Sequence, residues 1–341
     1  MNINKIAVAL PSWQVTNADI IRLVEQESKS FEGDFHRALS FLERSLEKSG
    51  AHTRLWRGED ESPLSLTKKA CSEALCGVND VDLLIYASVW AELFEPSSAN
   101  LVAYEIALDR AECFDMKAAC DGWMKAVKLA DSLLTSGQYR KIMVVNAEFN
   151  MMQNAMIYPR LFNLVSAEEL EWRFPAFTIG EAATATILSA NPKKPWKFHN
   201  ETHNNLYDLC TVTMPWYGTH PLSERIGKDG AGLFTSYGVD LRRHGLPLAV
   251  ETFRTSGIDS AAVDILFTHS SSKSDWTEGA RQIGLEHKLY DIYARCGNVV
   301  SASVPTALAL AEQDGTLVRG KQVAAWVASA GMSFSTASFT F

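Results

Sequence analysis

Short apolar blocks alternate along the chain with longer stretches in which apolar residues recur every three or four positions. The first kind reads as buried strand, the second as helix with one face in the core. Residues 81–88 (VDLLIYAS) follow a helical stretch over 64–75, and residues 263–270 (VDILFTHS) follow another over 248–255. The likeness continues downstream in the same order. Residues 114–120 (FDMKAAC) match 290–296 (YDIYARC), each followed by an amphipathic helical pattern, and 141–146 (KIMVVN) match 321–326 (KQVAAW). Strand, helix, strand, helix, strand repeated in this way predicts an α/β architecture of two similar halves, with predominantly parallel sheets covered by helices. The boundary is expected near residue 170, giving halves of 1–170 and 171–341. Chance similarity between buried strands is the competing account, and three echoes in register weigh against it.

Two stretches break the symmetry. Residues 34–47 form a charged helical segment that ends at Ser49-Gly50, a helix stop. Residues 149–177 are rich in Met, Phe, Leu and Trp. Met152 and Phe162 in this stretch are candidates to wall a channel for an apolar substrate, with core or subunit interface as the equal alternative.

Composition narrows the function classes. With 341 residues, 47% of them hydrophobic and 21% charged, the chain can bury a large core. A formal net charge of -8 argues against nucleic acid or an anionic membrane as partner, which leaves small molecules as the expected ligands. No apolar run approaches the roughly 20 residues of a membrane helix, and the N-terminus carries no leader pattern, so a cytoplasmic protein with reduced thiols is expected. The six cysteines, at 71, 76, 113, 120, 210 and 296, form no CxxC pair and no His spacing of a zinc site. No metal and no resident cofactor are expected.

One cysteine stands apart. Cys120 follows a predicted strand and opens a helix, where free backbone N–H groups and the helix dipole favour a thiolate. A buried cysteine is more often an inert small hydrophobe, so position alone does not settle its role. At the matching place of the second half, Cys296-Gly297-Asn298 lies between strand and helix, and His269 ends the strand that echoes residues 81–88. Internal two-fold symmetry would bring Cys120, His269 and Asn298 together at the centre of the molecule.

These residues sit in recognisable motifs. Lys117-Ala118-Ala119-Cys120-Asp121-Gly122, Thr268-His269-Ser270, the run 296–305 (CGNVVSASVP) and Phe177-Thr178-Ile179-Gly180-Glu181 together resemble the β-ketoacyl-acyl carrier protein synthase III branch of the thiolase superfamily. The resemblance implies a five-layered αβαβα fold, a homodimer, and a Cys-His-Asn triad of Cys120, His269 and Asn298. It also implies thioesters of coenzyme A or acyl carrier protein as substrates. In that scheme Cys120 holds an acyl group. His269 and Asn298 donate N–H groups to a developing enolate, and backbone N–H groups of Cys120 and the turn at Ala330-Gly331 hold the thioester oxyanion. Retention of Asn298 favours carbon–carbon bond formation.

The departures are informative. The family's His-Gln-Ala-Asn becomes His269-Ser270-Ser271-Ser272, which makes Ser272 a candidate substrate contact and ordinary fatty-acid initiation a poor fit. Before Pro96-Ser97, where the family usually places an aromatic residue that reaches into the partner's site, stands Glu95, with Glu92 as the fallback. This resembles head-to-head condensing enzymes of olefin biosynthesis and bacterial pyrone-forming ketosynthases, in which a glutamate of the other monomer acts as base. Removing an α-proton from a thioester needs a base, whereas decarboxylation of a malonyl unit does not. The expected function is a condensing acyltransferase of secondary metabolism that joins two acyl thioesters by Claisen condensation. The alternatives are a decarboxylative synthase using malonyl thioester, acyl transfer to an alcohol or amine, and a non-catalytic member of a ketosynthase heterodimer. Lys273 and Arg281 are candidates for a carrier-protein docking patch.

Overall fold

The computed structural model describes residues 1–77, 79–214, 218 and 223–341. The first half contains β1 (Asn2–Ala9), β2 (Trp13–Thr16), α1 (Asn17–Glu27), α2 (Phe35–Ser49), β3 (Thr53–Trp56), α3 (Pro63–Leu75), β4 (Leu83–Tyr86), α4 (Ser98–Glu105), β5 (Glu112–Asp115), α5 (Gly122–Thr135), β6 (Lys141–Glu148), α6 (Leu170–Arg173) and β7 (Ala182–Ser189). The second contains β8 (Lys197–Thr202), β9 (Cys210–Val212), β10 (Phe234–Ser236), α7 (Gly238–Thr255), β11 (Ile265–Thr268), α8 (Lys273–Gln282), β12 (Leu289–Tyr290), α9 (Tyr293–Cys296), α10 (Ser303–Gln313), β13 (Gln322–Ser329) and β14 (Ser333–Thr340).

The repeated sequence blocks become repeated sheets. One runs β1-β7-β6-β4-β5 and the other β8-β14-β13-β11-β12, the same order in both halves. Residues 81–88 and 263–270 supply the interior strands β4 and β11, one in from an edge, whose side chains are buried on both faces, as continuous apolar runs require. Helices α5 and α10 lie between the sheets in one apolar core with residues of β4, β6, β11 and β13. Helices α3 and α4 cover the outer face of the first sheet, and α7 and α8 that of the second. The result is a five-layered αβαβα arrangement, as expected.

Two expectations need correction. The first half runs past residue 170, because β7 pairs with both β1 and β6 and completes the first sheet. The sheets are also mixed. β4 is parallel to β5 and β6, but β6–β7 and β1–β7 are antiparallel, and the second sheet repeats this with β13–β14 and β14–β8. A strand that adds antiparallel beside its neighbour carries the same apolar pattern as a parallel one, so the blocks alone did not reveal it.

Local chemistry sets the element ends near the later site. Asp34 accepts from the Arg37 backbone at the start of α2, and Gly50, in the left-handed region at φ 82°, stops it. The decisive contact lies where the chain entering β7 crosses the chain entering α10. Asn298 N–H donates to Thr178 O at 2.8 Å and Gly180 N–H donates to Asn298 O at 2.9 Å. A Cβ on Gly180 would sit 1.9 Å from Cys296 O, and one on Gly297, at φ +71°, would sit 2.6 Å from Thr178 O. Both glycines are required by the closeness of the two backbones.

Gly180→Ala is therefore expected to lose about 3 kcal/mol or more of stability, with a fall of roughly 4 °C or more in the thermal midpoint. Gly238→Ala, whose Cβ would meet only Pro175 at 3.4 Å, serves as the near-neutral control. Thermal unfolding followed by circular dichroism checks this; a Gly180→Ala protein as stable as the control would remove the crossing as a constraint.

Candidate active site

Cys120 lies in a tight turn, Ala119–Asp121, ahead of α5, with Ala119 held at φ 47°. Such a conformation is costly without glycine and persists only where neighbours enforce it. Here the second half does so. Asp121 N–H donates to Ser329 Oγ, and the Asp121 carboxylate, fully buried, accepts from Ser333 and Ser335 of β14 and faces Lys125. Burial pushes the Asp121 carboxyl up, and the Ser335 hydroxyl opposes the shift. On the other side, a Cβ on Gly122 would meet Ala87 O at 2.7 Å and Ser301 Cβ at 3.1 Å, so α5 can start in this place only with glycine.

His269 follows β11, and its backbone N–H donates to Trp326 O at 3.1 Å. The ring is almost fully buried, and its Nδ1 lies 3.0 Å from Ser303 Oγ. Asn298, placed by the crossing described above, accepts at Oδ1 from the Val300 N–H at 2.9 Å. That bond fixes the amide orientation and leaves the Nδ2 hydrogens for a ligand. Cys120, His269 and Asn298 all line one cavity of about 1230 Å³. Its walls include Phe174, Leu246, Trp276, Met332 and Phe334, and Phe41 and Val239 stand exposed along it. A space of this size with mostly apolar walls suits a long apolar group with a few oriented polar contacts.

The site's electrostatics differ from the sequence expectation. A helix start was expected to favour the thiolate, but burial pushes the Cys120 thiol well above its ordinary value. Cys210, a second thiol on the cavity wall, and the buried Glu148 add to the rise, and the Ala330 backbone N–H opposes it. Burial also lowers His269 to about 4. At neutral pH the resting pair is a neutral thiol and a neutral imidazole, because an apolar cavity disfavours both charges.

The remaining candidates are placed as follows. Ser272 lines the cavity and caps α8 through the Asp275 N–H. Met152 and Phe162 are not among the lining residues; Phe162 is sealed in the core against Trp56, Tyr158 and Phe177. The 149–177 stretch thus mostly builds core, although Glu168, Glu171 and Phe174 reach the cavity. In the C-terminal turn Ala330 lines the cavity and its backbone N–H opposes the rise of the thiol, whereas Gly331 is not among the lining residues. Glu95 is exposed and does not line its own chain's cavity. Its loop leads into α4, whose first amides, Ser98 and Ala99, are held by Asp115 at the end of edge strand β5. Lys273 lies 4.0 Å from Asp291 and Arg281 is clamped by Glu278, so both docking candidates are already engaged with carboxylates. No group of three or more potential metal ligands occurs among the described residues. Sequence reasoning gave no role to Ser303, although it lies in the 296–305 motif, nor to Cys210 on the cavity wall.

Comparisons with known proteins bear on these residues. Residues 114–155, which hold Cys120, match the family model of 3-oxoacyl-[acyl-carrier-protein] synthase III, and residues 253–341, which hold His269 and Asn298, match its C-terminal model. The β-ketoacyl-[acyl-carrier-protein] synthase III of Bartonella bacilliformis is 24% identical over 93% of this chain and 92% of its own. That of Brucella suis is 25% identical over 93% and 92%. Among solved structures, Xanthomonas campestris OleA with bound cerulenin superposes with a TM-score of 0.84 at 21% identity, covering 99% of this chain and 96% of that one. OleA with bound lauric acid and lauroyl-CoA gives 0.82 at 21% identity, covering 99% and 98%. Other OleA structures that match carry single replacements of a glutamate, a histidine or a cysteine. The chain is synthase III-like in sequence and thiolase-like in fold.

The lowered His269 makes a testable demand on stability. Its folded value of about 4 lies below the 6.5 of an exposed imidazole, so the unfolded chain binds the extra proton first and stability is lost as pH falls from 6.5 towards 4. Between pH 7 and pH 5 this costs about 2 kcal/mol. Urea unfolding of wild type and His269→Gln at both pH values should show the wild type losing more by about that amount; parallel losses would mean that the imidazole titrates normally.

Proposed function

We propose that the protein is an acyl-condensing ketosynthase of secondary metabolism that loads an acyl group on Cys120 and joins it to a second acyl or β-ketoacyl thioester. The observation that carries this reading is that Cys120, His269 and Asn298, drawn from both halves, line one large apolar cavity. In loading, the thiol attacks a thioester carbonyl and the incoming pantetheine thiol leaves. The oxyanion forms beside the backbone amides of Cys120 and Ala330, where fixed donors stabilise charge without reorganisation. In condensation, the Asn298 amide polarises the carbonyl of the second thioester. Its α-proton moves to a carboxylate, the new carbon–carbon bond forms at the acyl carbonyl, and the bond to Cys120 sulfur breaks to release a thiolate, which regains the neutral thiol form by taking up one proton as the carboxyl group gives one up.

For that carboxylate we propose Glu95 of a second copy in a homodimer. Among the described lining residues, the carboxylates are Glu168, Glu171 and Asp275, and the last is paired with Arg242. Glu95, by contrast, sits on an exposed loop with Phe94, near Tyr104 and next to an edge strand, a surface suited to a second copy. The replacements recorded for OleA concern the same three residue types. Coenzyme A or acyl carrier protein thioesters are the proposed donors, in keeping with the names of the curated relatives and the lauroyl-CoA bound to OleA.

The test has two stages. Incubation with lauroyl-CoA followed by intact-protein mass spectrometry should add one lauroyl group to wild type and none to Cys120→Ser. Turnover with that donor alone should then yield a β-keto product from two lauroyl units without carbon dioxide, and Glu95→Gln should lower turnover at least about 100-fold while leaving acylation unchanged. Dependence on malonyl thioester with stoichiometric carbon dioxide would instead identify the decarboxylative reaction, and a Glu95→Gln enzyme with full turnover would remove the base role.

A further inference from the structure

Three hydroxyl-bearing and carbonyl groups stand behind the His269 ring, and their order has a direction. Ser303 Oγ has one hydrogen and three neighbours within bonding distance. These are Val300 O at 2.7 Å, Ser270 Oγ at 2.9 Å and His269 Nδ1 at 3.0 Å. The carbonyl can only accept and is the shortest contact, so the Ser303 hydrogen goes there. Ser303 Oγ then offers its lone pairs to the other two. Ser270 Oγ accepts the Val299 N–H at 3.3 Å and spends its own hydrogen on Ser303. The remaining pair accepts from His269, whose Nδ1 must then carry a hydrogen. His269, Ser270 and Ser303 are all at most 4% exposed, so bulk water does not compete with this chain.

We infer that Ser303 is a positioning residue that holds His269 as the Nδ1–H tautomer, leaving Nε2 bare as the proton acceptor for the Cys120 thiol. This departs from the sequence expectation, in which His269 and Asn298 were equivalent N–H donors. The two side chains are oppositely set. The Val300 amide turns Asn298 into a donor, and the Ser303 hydroxyl turns His269 into an acceptor. The division suits a neutral thiol, which has no standing thiolate and needs a base at the moment of attack. As the sulfur–carbon bond forms, the S–H hydrogen passes to Nε2. The imidazolium so formed is held by the Nδ1–H bond to Ser303, and Nε2 returns the proton to the departing pantetheine thiolate. Only then does the cycle restore a neutral ring. The role in acylation rests on the ketosynthase reading; the tautomer does not.

The experiment therefore reads the tautomer first. Uniformly 15N-histidine-labelled protein, with His269 assigned by its loss in His269→Gln, should show a proton on Nδ1 and none on Nε2 at pH 7. Ser303→Ala should shift the ring towards the Nε2–H form and slow acylation by lauroyl-CoA about 10- to 100-fold, with the dissociation constant for the thioester changed less than threefold. Ser303→Thr, which keeps the hydroxyl, should restore the tautomer and most of the rate. The rate of Cys120 alkylation by iodoacetamide should fall in parallel in Ser303→Ala, a readout that needs no acyl donor. An Nε2–H ring in wild type, or a Ser303→Ala protein with unchanged tautomer and alkylation, would overturn the inference. An Nδ1–H ring with the expected alkylation loss but no acyl adduct would support it while removing the ketosynthase reading.

Discussion

Two backbones pass so closely at residues 178–180 and 296–298 that neither tolerates a side chain at the point of contact, and the site exists because of that crossing. The hydrogen bonds between Thr178, Gly180 and Asn298 form a parallel bridge between Ile179 and Asn298 outside the named strands. Around it the same seam is stitched by Arg54, whose buried guanidinium donates to Phe177 O, and by Thr53, whose hydroxyl donates to Arg295 O. Ile179 and Thr178 on one side and Asn298 and Val300 on the other thereby become cavity wall. Two similar halves each bury their own sheet. What they cannot do separately is bring Cys120 from one and His269 and Asn298 from the other to the wall of one cavity. The crossing fixes that relation through backbone geometry, which side-chain motion does not relax.

The second organising feature is how buried acids are handled near the nucleophile. Glu148 is fully buried and raised by desolvation, yet it receives the Val89 and Trp90 amides, the Asn150 amide and the Ser301 hydroxyl. Glu181 is raised for the same reason and is held by Arg57 and the Met151 amide. Each ties a loop to a sheet, so a polar group in the interior is matched rather than left exposed to an apolar medium. Glu148 also adds to the rise of the thiol, of which burial is the largest cause. A helix N-terminus favours an anion by a modest amount, whereas desolvation at the cavity wall acts against it more strongly. On the proposed reading, reactivity at Cys120 comes from proton transfer during attack rather than from a preformed thiolate.

Much of this was legible in the sequence because it lies on links that sequence encodes directly. Buried strands read as apolar blocks, and the internal repeat exposed the equivalence of β4 with β11 and of β6 with β13. The motifs around Cys120, His269 and Asn298 were legible because each lies in a short contiguous run at a strand end or helix start. Other features depend on relations that no single segment carries. β7 joins the first sheet through pairing with β1, some 180 residues earlier, so a boundary placed by the repeat fell short of it. Phe162 looked like a channel wall because an aromatic residue in an apolar stretch has no marker for which side it faces. The direction of the thiol's shift followed from burial, and burial is a property of the assembled halves. Ser303 was invisible because a serine ahead of a helix reads as an ordinary start, and its meaning comes from the ring packed against it.

A consequence concerns how the proposed reaction is divided between the chain and its assembly. Loading an acyl group needs a nucleophile, a proton acceptor and oxyanion donors, and every group with those properties stands within one protomer's cavity. Carbon–carbon bond formation without loss of carbon dioxide needs in addition a base strong enough for an α-proton. The imidazole is poorly suited to that second task, since burial holds it near 4. A carboxylate carried into the same apolar cavity from outside would be raised by the same desolvation that lowers the imidazole. The environment that weakens the histidine as a base thus strengthens an acid delivered to it. On this reading the exposed loop at Glu95 and the apolar cavity are complementary parts of one device, and assembly decides whether an acyl-enzyme goes on to condense.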